Sequence, residues 1–271
     1  MPLFRPRKKE IKMIWQVDKN GRKSFLIGTA HFFPYSFRTS LSGYLQEVNT
    51  VLFEGPLDQE NLSRVVKAGF GPEDAPHLFD SLDGPTIRCI AKALAPSPHA
   101  ARSLVFSSFP RSRTDIRDMV QGMKYWMAFF TIWTYFLEKK GWSYSVDLEA
   151  YALARELGKK IVFLETIEEQ IGVLESLSPE KIISFLKRIE HWDHYTRQYV
   201  KCYLEGNLAR LGTMVSDFPS RCSFVIERRD QILYDRMRPY LEEGGVAACV
   251  GAPHIPGIRE MLHADGYVIR P

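Results

Sequence analysis

The chain has 271 residues, of which 45% are hydrophobic and 25% are charged, and its formal net charge is +4. This composition is typical of a globular protein that buries one sizeable core, and it excludes a largely disordered chain. Much of the basic excess lies in Arg5, Arg7, Lys8 and Lys9. A short basic arm of this kind is typical of a solvated terminus, so we expect no nucleic-acid partner.

Cysteine usage and the N-terminus both point to a cytoplasmic protein. The cysteines form no C-x-x-C pair, which excludes a zinc cluster or disulfide framework of the usual spacing. No apolar stretch follows the basic N-terminus, so we expect no signal peptide. The scattered cysteines, which we expect to be reduced, are Cys89, Cys202, Cys222 and Cys249.

Short apolar runs along the chain predict the strands of one sheet. Residues 11–17 and 24–29 are separated by the turn sequence Asp-Lys-Asn-Gly, which favours a hairpin. The other predicted strands are residues 50–53, 160–164, 246–250 and 267–270.

Long helical segments separate these strands. Helical spacing of apolar residues predicts helices that flank a sheet, whereas the segments about 58–145 and 179–218 are long enough to be mainly helical insertions. Short strands alternating with long helices predict a single α/β domain, layered around a central mixed sheet. The remaining predicted helices cover about residues 147–157 and 223–241 and a last segment from residue 256.

The aromatic-rich segment 119–137 requires a separate interpretation. Gln121 and Lys124 interrupt it, and the uncharged run 125–137 is shorter than the ~20 residues that a membrane span requires. We therefore expect a buried helix and no transmembrane span. The alternative is that this helix lines a groove for an extended apolar substrate or for the helix of a partner.

Polar side chains follow the predicted strands at the point where each strand ends. His31, Glu54, Glu165 and His254 all occupy such positions. Because ligands of open α/β sheets bind beyond the carboxyl ends of the strands, these four residues are expected to converge on one rim.

The two histidines share the motif G-x-x-H directly after a strand. Two imidazoles and the Glu54 carboxylate could bind a catalytic metal ion, or a histidine could activate water without a metal while the glutamate orients it. Each residue also has a simpler interpretation, because G-x-x-H often occurs by chance. Glu54 could begin a turn, and Glu165 could be an acidic residue at a helix start.

The sequence resembles the TraB/GumN/TIKI superfamily, and most closely its GumN-like branch. The resemblance covers nearly the whole chain, and residues 146–170 carry its most specific part. Three positions depart from the family pattern: Tyr125 stands for the usual proline, Asp230 for asparagine, and Pro253 for a small residue. The matching segments are residues 26–31, 51–54, 124–126, 146–170, 229–230 and 250–254.

The resemblance implies a fold shared with TIKI proteases, erythromycin esterases and the haem-binding ChaN group. TIKI-like proteins use the paired motifs in a peptidase that depends on a divalent metal, usually manganese or cobalt. Erythromycin esterases hydrolyse a lactone with a similar His/Glu arrangement and no firmly assigned metal, and other branches inhibit peptide pheromones. The fold alone therefore does not fix the substrate.

These observations lead to the hypothesis that the chain hydrolyses a peptide, amide or ester bond of a peptide or small molecule. His31, Glu54 and His254 would bind a manganese, cobalt or zinc ion, or would transfer the protons themselves. Arg229 would stabilise the oxyanion or bind a substrate carboxylate. Asp147 and Asp230 would hold a histidine or Arg229 in place. For Glu165, a structural role and a functional role fit the sequence equally well.

Two other classes of function fit the same residues. The first is a non-catalytic protein that sequesters a peptide or haem, for which the aromatic helix would have to line an open cleft. The second is an interaction module in which the G-x-x-H motifs no longer act. The sequence also allows a homodimer.

Overall fold

A computed structural model describes residues 9–72, 76–95, 116–214, 217–223 and 225–271. The basic residues 5, 7 and 8 lie outside these ranges. Both predicted helical insertions also include residues outside them, so the proposed domain boundaries stay a prediction.

Six strands within the described residues form one mixed sheet, in the order β4-β3-β5-β2-β1-β6. β4, β3, β5 and β2 are parallel, whereas β1 pairs antiparallel with both β2 and β6. The predicted α/β architecture with a mixed sheet is therefore confirmed. The strands are β1 (Ile14–Lys19), β2 (Arg22–Thr29), β3 (Thr50–Phe53), β4 (Lys160–Phe163), β5 (Val246–Gly251) and β6 (Val268–Arg270).

The hairpin between β1 and β2 forms where the turn sequence predicts it. Asn20 and Gly21 both have positive φ values, 55° and 76°. Two successive positive φ values match the right-handed twist of the strands, and Asn-Gly is the pair that adopts them at lowest cost. The first strand begins at Ile14 rather than at residue 11.

Helices connect the strands and cover the sheet. α1 packs against α6, and α11 packs against both α12 and β5. The described helices are α1 (Arg38–Gln46), α2 (Gln59–Ala68), α3 (Gly84–Leu94), α4 (Ile116–Met119), α5 (Tyr125–Lys139), α6 (Val146–Glu156), α7 (Ile167–Glu175), α8 (Pro179–Leu186), α9 (Trp192–Glu205), α10 (Leu208–Met214), α11 (Glu227–Glu243) and α12 (Ile255–Ala264).

Two apolar clusters make up the core. The first, the sheet cluster, surrounds the sheet and includes Leu52, Val250 and Tyr203. The second, the helical cluster, lies among the helices that follow β3 and β4, and it includes Phe129 and Trp192.

The aromatic helix α5 belongs to the second cluster. Phe129 and Ile132 are fully buried, and Trp133 contacts Phe185 and Trp192 edge to face. These side chains are core residues, as the sequence predicts, and they are not available to line an open groove. Within the described part of the chain, no helix combines the length and the apolarity needed to cross a bilayer.

Candidate active site

The parallel strands deliver four polar residues to one edge of the sheet. Because β4, β3, β5 and β2 are neighbours and run in the same direction, their carboxyl ends lie side by side. Glu165, Glu54, His254 and His31 follow these strands in that spatial order. The backbone ladder continues one step past the strands, since the amide of Glu165 donates to the carbonyl oxygen of Glu54 at 2.6 Å.

Arg229, in the first turn of α11, binds three of the groups at this edge. Its Nε and Nη2 donate to the two oxygens of Glu165 at 2.8 and 2.6 Å, and Nη2 also donates to Oε2 of Glu54 at 2.7 Å. Its Nη1 lies 3.3 Å from Nε2 of His254. The Arg229 side chain is 11% exposed, so these are well-shielded, charge-assisted hydrogen bonds.

The contacts of His254 determine where its proton lies. Arginine can only donate, so Nε2 of His254 must accept from Arg229. Nδ1 then carries the proton and donates to Oδ1 of Asp230 at 2.6 Å. This side chain is therefore a neutral imidazole, 4% exposed, held between Arg229 and Asp230.

Glu54 is ionised at every pH near neutrality. Burial acts to raise its pKa, but the Arg229 guanidinium and the backbone amide of Gly251 outweigh this and lower the pKa to about 2. The Gly251 amide donates to Oε1 of Glu54 at 2.5 Å. Glu54 thus joins the end of β5 to the network centred on Arg229.

His31 lies on the open side of the same edge. Its Nδ1 is 3.1 Å from Oδ2 of Asp147, the second residue of α6. The backbone holds this pair in place, because the amide of Val146 donates to the carbonyl oxygen of Ala30 at 3.0 Å. The His31 side chain is 75% exposed, whereas that of Asp147 is 10% exposed.

Neighbouring charges favour the protonated form of His31. Asp147 is the main cause, and it raises the pKa of His31 towards about 9, with a smaller contribution from Glu54 and an opposing one from Arg229. Because the ring is open to water, solvent screening weakens the attraction to Asp147. His31, Glu54 and Arg229 are thus close enough to influence one another.

The two G-x-x-H motifs therefore provide histidines in different environments. His254 is buried and has both ring nitrogens engaged, whereas His31 presents its Nε2 edge to solvent. Of the two, His31 is the one that a substrate can reach.

The arrangement does not fit a metal ion held by His31, Glu54 and His254 together. The Arg229 guanidinium already contacts both Glu54 and His254, and a divalent ion bound there would lie beside this fixed positive charge. Within the described residues, no group of three histidine, cysteine or acidic side chains is placed to bind a metal. The metal site predicted from the sequence gains no support from these distances and stays a prediction.

Glu165 has a larger part in the site than its sequence context suggests. The cap of α7 is Thr166, which forms a capping box with Glu169. Glu165 precedes the cap, is 5% exposed and binds Arg229 with both oxygens. The sequence also does not predict the hydrogen bond from Gly251 to Glu54, because that contact depends on how β3 and β5 pair.

Comparison with known proteins gives one informative result. A search of curated proteins finds no match. The sequence profile of the TraB/PrgY/gumN family matches residues 13–271, which is nearly the entire chain. This span includes both G-x-x-H motifs and every residue of the Arg229 network. The chain therefore belongs to the TraB/PrgY/gumN family.

Proposed function

We propose that this protein hydrolyses a peptide, amide or ester bond with a water molecule that His31 activates. The observation that carries the proposal is the exposed His31 imidazole, which lies against the buried Asp147 carboxylate and beside the Arg229 network. A histidine oriented by a carboxylate, next to a fixed cation, is the arrangement that acid–base hydrolysis requires.

The neutral form of His31 would act first as a base. Its Nε2 takes a proton from water while the water oxygen adds to the carbonyl carbon of the substrate. The resulting imidazolium then returns the proton to the leaving nitrogen or oxygen as the C–N or C–O bond breaks. Asp147, whose Oδ2 lies 3.1 Å from Nδ1, would stabilise the imidazolium that forms between these two steps.

Arg229 would supply positive charge to the developing oxyanion. Its bonds to Glu54, Glu165 and His254 engage four of its five N–H groups, counted over the described residues. In this proposal, the remaining Nη1 hydrogen would donate to the oxyanion. Because the network fixes the guanidinium before the reaction, little reorganisation is needed in the transition state.

The proposal is tested by hydrolysis of peptide and ester libraries. His31→Gln should reduce kcat/KM by a factor of about 10²–10⁴, the usual contribution of a general acid–base group. His194→Gln is the matched control, because His194 is an exposed residue of α9 and is not one of the site residues. Activity should persist in the presence of a chelator.

Two results would contradict this scheme. Cleavage that a chelator abolishes would indicate that a metal ion, rather than His31 alone, activates the water. Peptide binding without cleavage by the wild type would favour a sequestering protein. Haem binding would require the aromatic helix α5 to line an open cleft, whereas nine of its side chains are buried.

The pH dependence separates the role of His31 as a base from a role as an acid. If its neutral form is the base, kcat/KM rises with pH and then levels off, and the midpoint of the rise lies between 6.5 and about 9. Asp147→Asn removes the main cause of the raised pKa and should move this midpoint down towards 6.5. A rate that instead falls through the same pH range would overturn the role of His31 as the base.

A further inference from the structure

A second feature of the molecule is a cavity of about 270 Å³ beside the candidate active site. It lies between α10, the start of α11 and the turn that follows β5. Apolar side chains form much of its wall: Leu208, Leu211, Ile226, Pro253 and Pro256. Cavities that bind small ligands usually have volumes of about 300–1,000 Å³, so this one suits a single residue or a group of similar size.

Arg221 also lines this cavity, and the residue is only partly exposed. Within the described part of the chain, it forms an ion pair with no carboxylate. Burial lowers its pKa, and the groups that act against this effect are the hydroxyls of Tyr199 and Tyr195. A partly buried cation that has no ion pair among the described residues carries a desolvation cost that an anionic ligand would offset.

Tyr199 connects this cavity to the His31–Asp147 pair. Burial raises the pKa of Tyr199 to about 12, and both Arg221 and Asp147 are close enough to influence the same hydroxyl. On the other side, the cavity wall includes Pro253, the residue before His254. The cavity therefore adjoins the candidate active site.

We propose that this cavity binds the C-terminal residue of a peptide-like substrate, with the terminal carboxylate paired to Arg221 and an apolar side chain against the cavity wall. The proposal rests on the proposed hydrolase function and names the substrate class for it. Glu227 also lines the cavity, but it is exposed, so water and salt screen its repulsion of the carboxylate.

The test compares the binding of two peptides that differ only at the C-terminus. One is an N-acetylated tripeptide that ends in leucine with a free carboxylate, and the other is its amide. Calorimetry should find that the acid binds the wild type about tenfold more tightly, as expected for a charge-assisted pair. Arg221→Gln should reduce this preference to less than about twofold.

Two further variants control for charge and for folding. Arg197→Gln removes the same charge from an exposed position on α9 and should leave the preference unchanged. Arg221→Lys keeps the charge, and it should retain part of the preference even if Arg221→Gln proves unstable.

Equal binding of the acid and the amide by the wild type would overturn this proposal, whatever the hydrolysis assay reports. A preference for the acid that Arg221→Gln leaves intact would also overturn it. By contrast, a preference that depends on Arg221 without any cleavage would reject the hydrolase function and leave the carboxylate subsite in place.

Discussion

Arg229 organises the candidate site through its donors. It binds two carboxylates and the unprotonated nitrogen of His254, and Asp230 binds the other nitrogen of the same ring. Each of these contacts constrains the next, so the imidazole of His254 has one proton position and one orientation. Asp230 accepts a hydrogen bond from Nδ1 and adds a negative charge beside the ring.

The ionisation of Glu54 makes a measurable contribution to stability. Its pKa falls from 4.5 to about 2 on folding, which at about 1.4 kcal/mol per pKa unit corresponds to about 3 kcal/mol. Because the folded-state pKa is the lower one, this contribution is fully present above pH 4.5 and is lost as the pH falls from there towards 2.

We therefore expect Glu54→Gln to lower the free energy of unfolding by about 3 kcal/mol at pH 7. The difference between variant and wild type should shrink as the pH falls below 4.5. Urea unfolding at several pH values measures both effects. Glu47→Gln, which removes an exposed carboxylate paired with Lys23, should change stability by less than about 0.5 kcal/mol. An effect of Glu54→Gln that does not depend on pH would refute this explanation.

At the scale of elements, the approach of α12 to α11 determines the position of Asp230. A Cβ atom on Gly257 would lie 2.1 Å from Oδ2 of Asp230 and 2.9 Å from its Cγ. The glycine thus lets the start of α12 pack directly against the carboxylate that holds His254. Asp230 is short and already bound to His254, so it has little room to move aside.

Gly257→Ala should destabilise the protein by about 1–3 kcal/mol, the usual cost of overpacking. It should also reduce activity, because Asp230 can no longer hold His254 in position. Gly172→Ala is the matched control, since Gly172 lies within α7 with no atom within 4 Å of the added Cβ. That substitution should stabilise the helix by about 0.5–1 kcal/mol. Thermal unfolding and kcat/KM of both variants test the prediction, and equal effects would contradict it.

At the scale of the whole molecule, the sheet cluster and the helical cluster are expected to unfold together. Tyr199 and Val200 on α9 pack against both clusters. Four of the five tryptophans belong to the helical cluster, and only Trp15 lies on the sheet. Tryptophan fluorescence therefore reports mainly on the helical cluster, whereas far-UV circular dichroism reports on the whole chain.

Phe129→Ala should lower the free energy of unfolding by about 3–5 kcal/mol, because it leaves a cavity at a fully buried position. If the two clusters form one cooperative unit, the fluorescence and circular dichroism midpoints will shift by the same amount. A fluorescence transition that moves ahead of the circular dichroism transition would indicate that the helical cluster unfolds separately.

Local patterns in the sequence determine the strands, the hairpin turn and the polar residues at the strand ends. Alternating or continuous apolar runs predict strands because their period matches that of strand side chains, and Asn20-Gly21 specifies the turn through its backbone. The segments 26–31, 51–54, 146–170 and 250–254 predict the family, and the profile match over residues 13–271 confirms it. The family and the fold class could therefore be predicted without coordinates.

Only the tertiary structure distinguishes His31 from His254, which have the same local motif. Exposure depends on which elements cover a residue, and here α11 places Arg229 and Asp230 over His254, whereas α6 leaves the Nε2 edge of His31 open. The pairing of β3 with both β4 and β5 brings Glu54 between Glu165 and the end of β5. The β3 pairings join residues more than a hundred positions apart, and even Arg229 and Asp230 lie 25 and 24 positions from His254. No local pattern encodes contacts at these separations.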